Sequence, residues 1–318
     1  MSTNRNIKEF IAMVAFLISL GALSIDAVLP AFDFIAIDLD IQSDQRYLII
    51  STLILGMSAG QLLYGPWADH SGRRPPMIYG LMIFTAGTIL SWVAPSFELF
   101  ILGRFFQGVG AAAPRVVTTA IIRDSYVGRE MAKIMSFSMS IFILIPVLAP
   151  SLGQLLLTFG SWRVILGFIF LMSLVSLIWF IWKQEETLKD EFKRSLNLKE
   201  LFQNSRTILT HPQVLAYTSA SGIVFGGFLG YLNSAQHIFQ NIHGVGEQFS
   251  LYFAVLAVAF GVAFIVNAKW VTRYGMVKLS QASSLGHFLV SLTFLGFLSF
   301  NHYQISLIGM MLFLIPMS

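Results

Sequence analysis

The chain has 318 residues, of which 56% are hydrophobic and 11% are charged, and its mean hydropathy is +0.73. Soluble domains carry about 25% charged residues, so this composition excludes an ordinary soluble protein and indicates an integral membrane protein. The chain has no cysteine, which excludes disulfides, thiolate metal sites and thiol catalysis. The formal net charge of +4 does not indicate nucleic-acid binding, because the basic residues are gathered in short segments between apolar runs.

Ten apolar runs, each a candidate membrane-spanning helix, follow one another along the chain. About 20 apolar residues are needed to cross a bilayer. The runs cover residues 10–34, 47–68, 76–94, 98–122, 134–158, 164–182, 213–237, 250–268, 278–299 and 304–318. The first run is too long for the core of a signal peptide and lacks an obvious small-residue cleavage site, so we interpret it as a retained helix.

Lysine and arginine lie almost entirely on one side of these runs. If the N-terminus is inside the cell, 16 of the 20 basic residues fall in cytoplasmic segments. Only Arg46 and Arg163 fall outside, while Arg104 and Arg115 lie within an apolar run. This distribution predicts a multi-pass membrane protein with a cytoplasmic N-terminus.

The longest predicted loop, residues 183–212, is rich in charge and follows six apolar runs. It divides the chain into an N-terminal half, residues 1–182, and a C-terminal part, residues 213–318, that contains four runs. A shift of 203 residues places Trp67 and Gly72 on Trp270 and Gly275, which agrees with two repeated halves. The loop itself is interpreted as a solvated linker with no binding role.

Two charged side chains inside apolar runs are candidate functional residues, because ionisable groups are costly in hydrocarbon. Asp26 lies about 24 Å along the first run, in its outer part, and Arg104 lies about 9 Å from the outer end of the fourth run. We therefore expect Asp26 and Arg104 to face one another or to face a shared cavity. The alternative is that Asp26 is a helix-end residue near the membrane interface.

The fourth run also carries a polar stripe. Arg104 and Arg115 are eleven residues apart and so share one helical face with Gln107 and Gly108. A polar stripe on a membrane helix faces the bundle interior or a water-filled path. For Arg115 the alternative, that it extends its head group to the cytoplasmic interface, stays open.

The connection between the second and third runs reads Gly65-Pro-Trp-Ala-Asp69-His-Ser-Gly72-Arg73-Arg74, and it predicts a tight loop at the membrane surface. Gly65 and Gly72 allow close approach or a turn. Asp69 can accept backbone N–H bonds or pair with a guanidinium. Arg73 and Arg74 mark the cytoplasmic edge of the membrane.

This connection resembles the loop 2–3 signature of the major facilitator superfamily. A segment in the fourth run is similar to that superfamily's fourth-helix motif, which is associated with proton transfer. A segment in the fifth run is similar to the fifth-helix antiporter motif of the Bcr/CflA drug-resistance family. The residues concerned are Arg104-x-x-Gln107-Gly108-x-Gly110 and Pro146-x-x-Ala149-Pro150-x-x-Gly153, with Arg123-Asp124 and Trp162-Arg163 also fitting.

The resemblance implies an all-α integral membrane protein, a helical bundle of the major facilitator type with about ten transmembrane helices present of an expected twelve. It implies proton coupling at Asp26 and Arg104, with a transport path along the fourth helix. The transport-helix residues are Gln107, Gly108, Gly110 and Arg115. The cytoplasmic gating motif comprises Gly65, Asp69, Gly72, Arg73, Arg74 and Asp124. The antiporter motif of the fifth helix comprises Pro146, Ala149, Pro150 and Gly153.

The sequence departs from the family pattern in two places. Arg115 follows Pro114, where a small or apolar residue is expected. The eleventh and twelfth helices are also absent from this sequence, and in the family the eleventh packs against the second helix near the position of Gly65.

The predicted function is proton-coupled efflux of small amphiphilic compounds by alternating access in the bacterial inner membrane. Three alternatives stay open: a proton-coupled nutrient symporter of the same fold, a membrane receptor or regulatory protein, and a non-functional fragment of an exporter. An enzyme is not expected, because the chain has no cysteine and no histidine cluster. We expect no cofactor, no metal and no nucleic-acid partner. The expected partners are protons, a small-molecule substrate and the lipid bilayer, and the expected state is a monomer.

Overall fold

The computed structural model describes residues 7–42, 45–194, 206–207, 210–301 and 305–317. This part of the chain contains eleven α-helices and no strand, which confirms the predicted all-α class. In chain order the helices are α1 (Ile7–Asp26), α2 (Phe32–Asp38), α3 (Leu48–Ser71), α4 (Arg74–Trp92), α5 (Phe97–Ser125), α6 (Gly128–Leu157), α7 (Arg163–Lys183), α8 (Pro212–Gln236), α9 (Phe249–Tyr274), α10 (Met276–Phe300) and α11 (Leu307–Met317). Residues 195–205 of the predicted linker and the first six residues lie outside the described part.

The first apolar run is divided into two helices, although by length and composition Ile7–Asp38 is one candidate membrane span, as the sequence predicts. Helix α1 ends at Asp26, a single 3-10 turn covers Leu29–Ala31, and α2 follows directly. Pro30 lies in that turn. Proline has no backbone N–H, and its ring clashes with the carbonyl four residues earlier, here that of Asp26, which favours a break in the helix at this point.

The tight loop predicted at residues 65–74 is shorter than expected. Helix α3 continues through Gly65 and Pro66 to Ser71, and α4 begins at Arg74. The turn between them is therefore Gly72 and Arg73. Gly72 has a φ of 98°, a left-handed conformation that glycine adopts without a steric penalty.

The two ends of the bundle differ in charge. At one end Arg73 pairs with Asp124, and Lys183 pairs with Glu9; we call this the basic end. At the other end an ion pair joins Asp38 to Arg163, and we call this the Asp38 end. By length and composition, five described helical segments are able to cross a membrane: Ile7–Asp38, Leu48–Ser71, Phe97–Ser125, Arg163–Lys183 and Val277–Phe300.

Helix α5 is in backbone contact with its neighbours α3 and α4. A Cβ atom on Gly108 would overlap the carbonyl of Leu53 in α3, and one on Gly110 would overlap the backbone nitrogen of Phe84 in α4. Small residues at such crossings let membrane helices approach closely, which replaces the missing hydrophobic drive with van der Waals contact. The predicted fourth-helix glycines thus fix the position of α5 in the bundle.

The N-terminal helices α1–α7 and the C-terminal helices α8–α11 meet near the Asp38 end. Helix α6 packs against both α1 and α9. The C-terminal side chains buried near this contact are Ala235, Phe239, Phe249, Phe253 and Leu256. Toward the basic end, by contrast, every described residue from 211 to 227 is exposed. Within the described residues, α8 is therefore covered at the Asp38 end and uncovered at the basic end.

We predict that Gly108→Val destabilises the protein by about 1–3 kcal/mol, because the larger side chain forces α5 away from the backbone of α3. Thermal unfolding of the purified protein in detergent should show a melting temperature lower by several degrees. Gly226→Val is the matched control, since no atom lies within 4 Å of a Cβ at that position. An equal loss of stability in both variants would contradict the role of the close crossing.

Candidate functional site

The side chain of Arg104 lies at the centre of a buried polar network. Arg104 has 0% of its surface exposed. Its Nη2 donates to the carbonyl oxygen of Ser24 at 2.7 Å, and its Nε donates to the carbonyl oxygen of Ile49 at 3.1 Å. Its Nη1 donates to Oε1 of Gln107 at 2.7 Å. The guanidinium therefore links α5 to α1 and α3 through two charge-assisted hydrogen bonds, and a third joins it to Gln107 on its own helix.

Gln107 extends this network to a fourth helix. Its Nε2 donates to Oγ1 of Thr88 in α4 at 2.9 Å, and Thr88 donates to the carbonyl of Phe84 at 2.7 Å. Gln107 and Thr88 are both 0% exposed. The network thus joins the four helices α1, α3, α4 and α5. Thr88 was not singled out from the sequence, although a hydroxyl in the third apolar run was the available signal.

Asp26, the last residue of α1, is 5% exposed. Among the described residues, none forms an ion pair or a hydrogen bond with its carboxylate. Arg104 contacts the backbone of Ser24, two residues earlier, rather than this carboxylate. The structure therefore brings Arg104 to the same end of α1 as Asp26, but without a direct ion pair.

The other residues of the predicted stripe on α5 have two different environments. Gln107, Gly108 and Gly110 are buried, whereas Arg115 is exposed. The stripe is therefore buried toward the Asp38 end, where Arg104 lies, and exposed toward the basic end.

The predicted gating residues meet at the basic end. Arg73 donates from NH1 to Oδ1 of Asp69 at 2.6 Å, and from Nε to Oδ2 of Asp124 at 2.8 Å. One guanidinium thus joins the end of α3 to the end of α5. Arg74 donates to the carbonyl of Ile181 in α7 at 2.7 Å. Gly65, by contrast, faces open space, since a Cβ atom added to it would meet no atom within 4 Å.

Glu186 also belongs to this cluster, and the sequence interpretation missed it. Its Oε1 accepts from the backbone N–H of Arg73 at 2.7 Å, and its Oε2 accepts from that of Arg74 at 2.9 Å. The carboxylate therefore lies at the N-terminus of α4, where the helix dipole favours negative charge. The only available signal was an acidic pair, Glu185-Glu186, directly after the sixth run and at the same end as Arg73.

Glu186 is held in its ionised form. Partial burial alone would raise the pKa of its carboxyl group. The backbone N–H groups of Arg74, Leu188, Arg73 and Thr187 outweigh that effect and hold the pKa below its ordinary value of 4.5.

The first part of the predicted linker is thus hydrogen-bonded to the N-terminal helices, while most of its residues are exposed to solvent. The N–H of Arg194 donates to the carbonyl of Asp69 at 2.9 Å, and Thr187 donates to Asp124 at 3.2 Å. A cavity of about 650 Å³ lies between this segment and the Asp69–Arg73–Asp124 cluster. Residues 184–194 of the linker thus contact α3, α4 and α5, and the expectation that the linker has no binding role stays a prediction.

The fifth-helix motif lies where α6 meets α1. Ala149, Pro150 and Gly153 are buried. A Cβ atom on Gly153 would overlap the carbonyl oxygen of Ala27, so glycine permits α6 to touch the chain just after α1. Pro146 lies within α6, and its side chain is outside the described part.

Five described segments long and apolar enough to cross a membrane, packed in a bundle around a buried arginine network, indicate a multi-pass membrane protein. The family model described as Major Facilitator Superfamily matches residues 13–318. The chain belongs to this family and is a transmembrane transporter.

Three curated relatives are similar in sequence. The chain is 31% identical over 298 residues to the bicyclomycin resistance protein homolog of Haemophilus influenzae, covering 89% of this chain and 74% of the relative. It is 30% identical over 267 residues to the multidrug resistance protein MdtL of Escherichia coli O139:H28, covering 82% of this chain and 66% of the relative. It is 30% identical over 275 residues to the uncharacterized MFS-type transporter YdgK of Bacillus subtilis, covering 84% of this chain and 67% of the relative. The chain thus spans about two thirds to three quarters of the length of these relatives.

Solved structures support the same fold. The xylose transporter XylE from E. coli, in a partially occluded inward open conformation, matches 98% of this chain and 80% of its own, with a TM-score of 0.73 and 14% identity. A bacterial homolog of the human lysosomal transporter Spinster matches 99% of this chain and 73% of its own, with a TM-score of 0.71 and 16% identity. At these identities the likeness concerns the fold alone.

We predict that Arg104→Lys lowers the stability of the protein by about 2 kcal/mol, because an ammonium cannot serve all three acceptors and an unpaired buried acceptor costs about 1–3 kcal/mol. Thermal or denaturant unfolding in detergent measures the loss. Arg123→Lys is the matched control, since Arg123 is exposed on the same helix. Equal stability of the two variants would show that the buried network contributes nothing.

We predict that Glu186→Gln destabilises the protein by roughly 1 kcal/mol at neutral pH, because a neutral amide interacts less well with the N-terminus of α4. Because the pKa of Glu186 is lowered in the folded state, its contribution to the free energy of unfolding is complete above the ordinary pKa of 4.5. That contribution is lost as the pH falls through the lower folded-state pKa. Unfolding measured from pH 7 downward should therefore show the difference from the unmodified protein shrinking in acid. Glu185→Gln, at the exposed neighbouring position, is the control; a pH-independent difference would contradict the assignment.

Proposed function

We propose that this transporter exports small amphiphilic compounds in exchange for protons, by alternating access. The observation that carries the proposal is Asp26, a buried carboxyl group without an ion-pair partner among the described residues. An ionisable group in this position is costly to keep unless it has a function, and proton transfer is the usual one. The relatives named as multidrug and bicyclomycin resistance proteins support amphiphilic drugs as the substrate class.

In this proposal Asp26 binds and releases the proton, and Arg104 is its coupling partner. Arg104 holds the end of α1 through the Ser24 carbonyl. A shift of α1 relative to α5 changes the distance from the guanidinium to Asp26, and with it the free energy of protonation. Gln107 keeps the guanidinium oriented, while Gly108 and Gly110 set the position of α5. Arg115 lies at the exposed mouth of the path.

We assign the basic end to the cytoplasm, following the positive-inside distribution. The N-terminus is then cytoplasmic and the protein lies in a bacterial inner membrane as a monomer. Because α8 is covered near the Asp38 end and uncovered at the basic end, the described conformation corresponds to a state open toward the cytoplasm. In this state an exporter takes up its drug and releases its proton.

The halves that move are residues 1–182 and 213–318, joined by the linker 183–212. The bistable element is the gating motif, in which Arg73 bridges Asp69 and Asp124, with Gly72 and Arg74 beside it. The exposed face at Gly65 is where the opposite half closes when the cytoplasmic side shuts. The antiporter motif, Pro146, Ala149, Pro150 and Gly153, lets α6 seal against α1 in the cytoplasm-open state.

We predict that Asp26→Asn abolishes drug-dependent proton movement, because an amide cannot exchange a proton. The protein is reconstituted in vesicles with an acid lumen and a lumenal pH dye, and amphiphilic drugs are added outside. Proton antiport raises the lumenal pH on drug addition, and the variant should respond like empty vesicles. Asp40→Asn is the matched control: Asp40 is exposed, and its φ of 49° is a conformation that asparagine tolerates.

Four other outcomes contradict the proposal or a part of it. A fall in lumenal pH on drug addition indicates symport. Full activity in Asp26→Asn removes the proton role of Asp26. If this chain shows no drug-dependent proton movement while a form with an extended C-terminus does, the activity belongs to the longer protein. If no form moves protons with any compound, the proposed exchange is wrong.

A further inference from the structure

The cavity at the basic end lies between residues 187–194 of the linker and the ends of α3 and α5. Its volume is about 650 Å³, and small-molecule sites in proteins have volumes of about 300–1,000 Å³. Five basic and three acidic side chains line it, which leaves a net charge of +2. The size and the charge of the cavity therefore favour a small anion as its ligand.

Two of the basic side chains in this lining have no partner. Arg73 donates to both aspartates of the gating motif, while Lys189 and Lys193 each pair with an acidic residue two or three positions away along the chain. The guanidinium groups of Arg123 and Arg194, by contrast, form no ion pair and no hydrogen bond with any residue that the structure describes. Their mutual repulsion decreases when an anion binds between them.

The backbones of these two arginines are fixed by the surrounding structure. Arg123 lies in the last turn of α5, directly before Asp124 of the gating motif. The N–H of Arg194 donates to the carbonyl oxygen of Asp69 at 2.9 Å, and its own carbonyl oxygen accepts from Nδ1 of His70 at 2.9 Å. A helix end and a linker segment thus each contribute an arginine to the wall of one cavity.

The chemistry of two guanidinium groups favours a terminal phosphate over other small anions. Each planar guanidinium donates two parallel hydrogen bonds to a pair of oxygens. A carboxylate has only two oxygens, whereas a terminal phosphate presents three and has a charge of about −1.5 to −2 at neutral pH. One terminal phosphate can therefore bind both guanidinium groups at once and neutralise both charges.

We propose that this cavity binds a terminal phosphate group through Arg123 and Arg194. The bound phosphate ties the start of the linker to the end of α5, beside the pair of Arg73 and Asp124. The site is separate from the proposed proton exchange and does not depend on it. It gives the linker a binding role, which the sequence interpretation did not expect.

A terminal phosphate can reach this site from two sources, because we assign the basic end to the cytoplasm. One source is a dissolved phosphate compound. The other is phosphatidate, a lipid of the inner leaflet whose head group is a terminal phosphate. The shared chemistry defines the site, and the two arms of the experiment distinguish the sources.

The experiment measures binding to the purified chain in detergent, in phosphate-free buffer at constant ionic strength. In the first arm, pyrophosphate is titrated and the heat of binding is recorded by calorimetry. In the second arm, native mass spectrometry measures the retention of phosphatidate against phosphatidylglycerol, whose phosphate has only two free oxygens. We expect saturable binding of one ligand in at least one arm. Arg123→Gln and Arg194→Gln should each weaken it about 10- to 100-fold, because each removes charge-assisted hydrogen bonds.

Arg206→Gln is the matched control, since it removes the same charge from an exposed arginine of the linker that does not line the cavity. It should bind like the unmodified protein. Arg123 and Arg194 are exposed, so the melting temperatures without ligand should be equal in all variants, which separates a binding defect from a folding defect.

Binding in the first arm alone identifies a dissolved phosphate as the ligand, and binding in the second arm alone identifies phosphatidate. The absence of saturable binding in both arms overturns the proposal. Unchanged binding in Arg123→Gln and Arg194→Gln overturns it as well. An equal loss in Arg206→Gln, or equal retention of phosphatidylglycerol, shows that general charge attraction rather than a phosphate site is responsible.

Discussion

The buried guanidinium of Arg104 is the interaction on which the arrangement of the N-terminal helices depends. A fully buried cation is tolerated only when its donors are satisfied, and here the acceptors come from α1, α3 and α5 itself. Ser24 is among the last residues of α1, whose carbonyls carry the negative end of the helix dipole. Pro30 contributes to this arrangement because it stops the helix and so creates a C-terminus at that depth. The helix break therefore supplies a carbonyl acceptor for the buried charge of Arg104.

The same arrangement leaves Asp26 chemically available. The Arg104 groups that lie toward α1 and α3 are engaged by backbone carbonyls, which do not change their charge state. A carboxylate locked in a strong ion pair would remain ionised through the transport cycle. A carboxyl group beside a cation whose hydrogen bonds are already made can instead respond to groups that arrive from the other half. The fixed partners of Arg104 thus keep α1 in place, while the Asp26 carboxylate has no hydrogen bond or ion pair among the described residues.

The sequence predicted the residue types at these sites better than their partners. The cost of charge in hydrocarbon singled out Arg104, and the spacing of Asp69, Gly72 and Arg73 indicated a turn with a charge cluster. The carbonyls that bind Arg104 could not be predicted, because every residue has a carbonyl and only packing selects one. Glu186 was missed for a related reason: its partners are backbone N–H groups that lie more than a hundred residues away along the chain.

The binding of residues 184–194 to the basic end constrains how the halves can move. Glu186 caps α4, and Arg194 bonds to the backbone of Asp69, so this segment belongs mechanically to the N-terminal helices. Residues 184–194 therefore stay with the N-terminal helices when α8 is displaced against them. The segment also covers the cluster in which Arg73 holds Asp69 and Asp124. Because this segment contacts both carboxylate-bearing helices, we expect a rearrangement of the cluster to displace the start of the linker as well.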